Sequence, residues 1–87
     1  MSPRHHDLKI RPHYFEAVIE GQKTFEIREN DRDFQSGDTV NLVEQYLVRG
    51  HGSVTGRECS AEIGYITDYE QQPGYVVFSL LKVKQTK

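Results

Sequence analysis

Only one stretch of this chain repeats with a helical period; the rest of its apolar pattern alternates. Across residues 12–20, Phe15, Val18 and Ile19 fall at i, i+3 and i+4, the spacing of an amphipathic helix of about two or three turns. Pro12 suits its first turn and Gly21 its end. Five segments alternate as strands do: residues 7–10, 23–28, 39–48, 55–68 and 75–83. The last is the most apolar and is expected at the centre of the sheet. A sheet this small has edges that are hard to protect, and closure removes them. One helix and about five strands therefore predict an α+β fold, a small closed or nearly closed β-barrel with the N-terminal helix packed on its side.

At 87 residues the chain is a single domain, residues 1–87. A domain of this size buries roughly 60% of its unfolded surface, so a surface cleft is expected rather than a deep enclosed cavity. The net charge of −2 excludes the strongly cationic, nonspecific nucleic-acid binders, but leaves room for a local basic patch or for recognition of one nucleotide. Cys59 stands alone, which excludes an internal disulfide and fits a reducing cytoplasm. No apolar run approaches the roughly 20 residues of a membrane span, so a cytoplasmic protein without membrane association is expected. Residues 1–6 read as a frayed lead-in, 49–53 as a flexible connection and 84–87 as a solvated tail. Residues 29–38 form a polar loop anchored by Phe34.

The segment richest in chemistry is Gly21-Gln22-Lys23-Thr24-Phe25-Glu26-Ile27-Arg28. Alternation sets Phe25 and Ile27 on an apolar face and Thr24, Glu26 and Arg28 on a polar one, with Lys23 at the entrance. Arg28 suits bidentate binding of a phosphate or carbonyl. Glu26 suits the donors of a base edge, and Lys23 suits a phosphate or, if desolvated, a nucleophile's role. The plainer reading is a solvated strand face with a weak Glu26–Arg28 pair. Asn30, Asp31, Arg32 and Asp33 form either a ligand-gripping loop, with Arg32 on a phosphate, or a turn that caps its own backbone. Lys9 is a further candidate phosphate contact, or a solubilising lysine. Tyr14, Tyr65 and Tyr75 are candidates for a cleft wall, while Phe15, Phe25 and Phe78 are expected in the core. His5, His6, His13 and His51 match no zinc spacing, and Cys59 shares an apolar face with Ala61 and Ile63. Neither a metal nor another cofactor is expected.

The helix followed by residues 21–28, and then by Phe34-Gln35-Ser36-Gly37-Asp38, resembles the ASCH domains of the PUA-like superfamily of small RNA-associated β-barrels. A subgroup of short bacterial and phage proteins of unknown function is more similar still. It shares His6-Asp7-Leu8-Lys9-Ile10, Tyr14-Phe15, residues 23–28, Asn30-Asp31-Arg32-Asp33-Phe34 and Gly74-Tyr75-Val76-Val77. The resemblance covers nearly the whole chain apart from residues 48–54. It implies an RNA or nucleotide ligand in a cleft beside the helix. It also brings an enzymatic alternative, because some small ASCH proteins hydrolyse N4-acetylcytidine and others are described as ribonucleases. In the former, the motif Lys-Thr-x-Thr-x-Arg supplies a catalytic Lys and Thr, with a Glu downstream. Lys23 stands at that Lys, Glu26 replaces the second Thr, and the segment bearing the downstream Glu has no counterpart. The expectation is therefore a binding module whose cleft is lined by Lys9, Lys23, Thr24, Glu26, Arg28, Asn30, Asp31, Arg32 and Tyr75. The alternatives are a hydrolase or ribonuclease with Lys23 and Glu26 as the reacting pair, or an accessory domain for a protein partner.

Overall fold

The computed structural model describes residues 2–87. Its elements follow in the order β1 (His5–Ile10), α1 (Pro12–Ile19), β2 (Phe25–Glu29), β3 (Thr39–Val48), β4 (His51–Thr67) and β5 (Tyr75–Gln85). The strands make one mixed sheet ordered β1-β3-β4-β5-β2, with β1 parallel to β3 and the other neighbours antiparallel. The long β4 takes the centre that the apolar β5 was expected to hold; β5 lies between β4 and β2. Irregularities in the β3–β4 and β4–β5 registers bend the sheet. Its concave side holds Leu8, Ile10, Val40, Leu42, Ile63 and Phe78, closed over by Phe15 and Val18 of α1 and by Phe34.

The sheet is not a closed barrel. Among the described residues no backbone ladder joins β1 to β2, the two edges of the order. The edges instead meet across a seam of arginine side chains. Carbonyls of β1 alternate in direction, and those of Asp7 and Lys9 accept from Arg32 Nη1 at 2.6 Å and Arg28 Nη2 at 2.7 Å. Arg4 donates to the carbonyls of Arg32 and Asp33. A guanidinium and its stem do not fit within the roughly 4.8 Å between paired strands. The arginines thus satisfy the edge carbonyls and hold the edges apart.

Strand β2 also faces the opposite way from expectation. Phe25 and Ile27 are 41% and 51% exposed, whereas Glu26 is 4% exposed. Register explains the reversal. Glu26 lies opposite Phe78 and Arg28 opposite Val76, and cross-strand partners share a face, so β5 turns both charges inward with its core residues. Period two separates the faces without saying which is inside.

Of the lead-in expected over residues 1–6, Met1 lies outside the described residues, and residues 4–6 are ordered rather than frayed. His6 is buried in β1, with Nε2 2.9 Å from Asp38 Oδ2 and its ring edge-on to Phe34 at 4.8 Å. Burial alone would raise the Asp38 pKa, but hydrogen bonds from the Arg4 N–H, His6 and the Gln35 N–H outweigh it and lower it. Residues 49–53, expected to be flexible, are a two-residue turn and the start of β4. Arg49 and Gly50, at φ 51° and 80°, both adopt the left-handed conformation that suits a tight hairpin. Among the described residues no helix is long and apolar enough to cross a membrane.

Candidate functional site

Backbone geometry at the end of α1 positions the site. The Gln22 N–H bonds the Ala17 carbonyl at 2.9 Å and the Gly21 N–H bonds that of Val18 at 3.1 Å, the two hydrogen bonds of a Schellman motif. Gly21 supplies the left-handed residue, at φ 78°. Lys23 N–H also reaches the Ala17 carbonyl, at 3.0 Å, and the Thr24 carbonyl accepts from Leu80 N–H at 2.9 Å. Lys23 is thus fixed at the join between the helix end and β2. Its Nζ donates to the Phe25 carbonyl at 2.7 Å and to Glu26 Oε1. From the other side, Arg28 Nε donates to Glu26 Oε2 at 2.8 Å. The Lys23 ammonium also lies 5.3 Å from the Tyr14 ring centre and 5.2 Å from that of Phe25, within cation–π range.

These groups line a cleft of about 660 Å³ between α1, the end of β1 and β2. Ile10, Tyr14, Ala17, Phe25 and Ile27 give it apolar walls. Its polar lining is Lys9, Arg11, Gln22, Lys23, Glu26, Arg28 and Gln45. Four cationic side chains therefore surround one carboxylate, in a chain whose net charge is −2. Low-dielectric walls concentrate such a field. Glu26 keeps lone pairs beyond those its two cations occupy, and Lys23 keeps one donor of three. The cleft can hold a planar ligand against Tyr14 and Phe25, an anion among its cations, and hydrogen-bond donors at Glu26.

Of the residues expected from sequence, Lys9, Tyr14, Lys23, Glu26 and Arg28 come together here. The others lie elsewhere. Thr24 anchors β2 through its backbone, and its side chain is not part of the lining. Asn30 Oδ1 accepts from the Phe34 N–H at 2.9 Å, so it caps its own loop. Arg32 laces the seam, and Asp31 is an exposed carboxylate 4.0 Å from it. Tyr75 lines a separate, shallower hollow with Ile27 and Glu70. Tyr65 is exposed and Phe25 belongs to the cleft wall, while Phe15 and Phe78 are core as expected. Cys59 is buried, and burial, helped by the charge of Glu26, pushes its thiol pKa up to about 11.

Sequence reasoning missed Arg11, Gln22 and Gln45, which reach the cleft only through the fold. It also missed the buried carboxylate of Glu44 on β3. Glu44, 2% exposed, accepts from Arg57 Nε at 2.8 Å and Nη2 at 2.7 Å, and from the Thr55 hydroxyl. The Arg57 bonds lower the Glu44 pKa against the opposing effect of burial. Arg57 also stacks over Phe15, 4.8 Å from its ring centre, and pairs with Glu16 at 3.1 Å, tying β4 to α1. The sequence held one signal of this: Glu44 stands in register with Val40 and Leu42, on the inward side of β3.

The family model described as "Domain of unknown function (DUF3850)" matches residues 5–80. A protein of Escherichia phage P2, described as "Uncharacterized 12.9 kDa protein in GpA 3'region", is 38% identical over 68 residues. That alignment covers 78% of this chain, and the chain spans 59% of the length of the phage protein.

Proposed function

The chain belongs to the DUF3850 family, and from that premise we propose that it is an RNA- or nucleotide-binding module. One observation carries the reading: Lys9, Arg11, Lys23 and Arg28 gather with Tyr14 and Phe25 around the buried Glu26 in a chain that is acidic overall. A base rests against the two rings, with stacking worth about 1–3 kcal/mol. Glu26 takes donors from the base edge, and the cations take a phosphate. The likeness of residues 21–28 to the ASCH strand supports the same ligand class. Isothermal titration of the four nucleoside 5′-monophosphates tests the reading. At least one should bind, the corresponding nucleoside more weakly, and Lys23→Ala should weaken binding about tenfold. Absence of binding by all four would refute it.

The hydrolase alternative rests on the Lys23–Glu26 contact within the cleft. It predicts turnover of N4-acetylcytidine or of RNA, abolished by Glu26→Gln with the fold intact. The binding reading predicts that both substrates survive incubation unchanged.

A further inference from the structure

The sheet carries an arm. The register of β1 with β3 stops at Glu44, and that of β5 with β4 stops at Cys59. Beyond those points residues 45–48 pair only with residues 51–54. A two-stranded ribbon standing alone is marginal in water. This one nevertheless leaves Tyr46, Leu47, Val48 and Val54 between 43% and 56% exposed.

Its charge is one-sided. None of the chain's 13 Asp and Glu residues falls within residues 45–57, which contain Arg49, Arg57 and His51. The carboxylates at its root are occupied, Glu44 by Arg57 and Glu58 by Asn41 and Lys87. Along the arginine seam, by contrast, Asp7, Asp31 and Asp33 stand beside His5, Arg32 and Arg4, so three carboxylates offset its guanidiniums. A polyanion leaving the cleft therefore meets carboxylates along the seam and none along residues 45–57, whose tip carries Arg49. Gln45 joins arm to cleft: it lines the cleft and lies across Gly52, where a Cβ would collide with its amide. Alternation puts Leu47 on the Gln45 face, and Val54 is the cross-strand partner of Gln45.

We propose that this arm is a tracking surface for single-stranded RNA, continuing a strand of which one nucleotide occupies the cleft. Bases lie along Leu47 and Val54, and Arg49 at the tip takes a phosphate. The four residue steps from Gln45 to Arg49 span about 13 Å, the length of about four stacked nucleotides. The inference rests on the cleft reading above and adds the direction and length of the ligand.

The test compares the four nucleoside monophosphates with RNA homopolymers of about eight nucleotides, on the wild-type chain and on Arg49→Glu and Lys23→Ala. A homopolymer should bind the wild type about tenfold more tightly than its monophosphate. Arg49→Glu should remove that gain, leave monophosphate binding unchanged, and lower the salt slope by about 0.7 for the lost phosphate contact. Monophosphates that bind as tightly as homopolymers, or homopolymer binding indifferent to Arg49→Glu, would overturn the arm and leave the cleft standing; a protein-binding arm gives this result. Homopolymer binding that depends on Arg49 but not on Lys23, with no monophosphate bound, would instead overturn the cleft reading.

Discussion

At the scale of single residues, three buried acids decide how the chain folds and where it can hold a ligand. Glu26, Asp38 and Glu44 each sit below 5% exposure with specific partners. Arg57→Ala would leave Glu44 uncompensated in the core and should lower the midpoint of urea denaturation. Glu44→Gln/Arg57→Ala together should cost less than the sum of the singles. The Cys59 thiol, buried and pushed up to about 11, should resist alkylation at pH 8 in the native state and react at once in denaturant. Rapid native labelling would contradict its place in the core. These acids were legible in the sequence only as letters in an alternating pattern. Glu44 broke the run of Val40 and Leu42, a sign that it needed a cation, but Arg57 lies 13 positions on and its approach depends on the β3–β4 hairpin.

At the scale of elements, the helix end is the part most nearly readable in advance. Pro12 and Gly21 bracket α1, and the motif at Gly21 follows from local hydrogen bonding alone. Gly21→Ala meets open space but a left-handed backbone, so it should destabilise by about 1 kcal/mol and loosen Lys23, with no packing defect. Asn at the same position should recover part of that loss. The span Thr39–Val48 is also local in origin and agrees with the pattern. The orientation of β2 is not local. It depends on pairing with β5, about 50 residues later in the chain, whose core side carries Phe78 and Val76. A pattern of period two has no means of recording that choice.

At the scale of the whole molecule, the open sheet is what makes a cleft possible. A closed ladder between β1 and β2 would bring Lys9 and Arg28 into backbone register and remove the space they line. The same arrangement ties stability to pH. Asp38 and Glu44 have folded pKa values below their ordinary 3.8 and 4.5, so their stabilisation is complete above those values and is lost as pH falls through the folded ones. Unfolding free energy should be level above about pH 5 and fall below it, and an Asp38→Asn/Glu44→Gln variant should show a shallower acid slope. The number of strands and the single helix were readable from sequence; the open topology was not, because arginine lacing and backbone closure share the same alternating segments. The central claim is that the ionic side of β2 turns into a ligand-holding cleft. The most direct measurement is an amide NMR titration of the intact chain with nucleoside monophosphates. Saturable shifts concentrated at Lys9, Arg11, Tyr14 and residues 22–28 are predicted; a spectrum unchanged there at millimolar ligand would contradict the account.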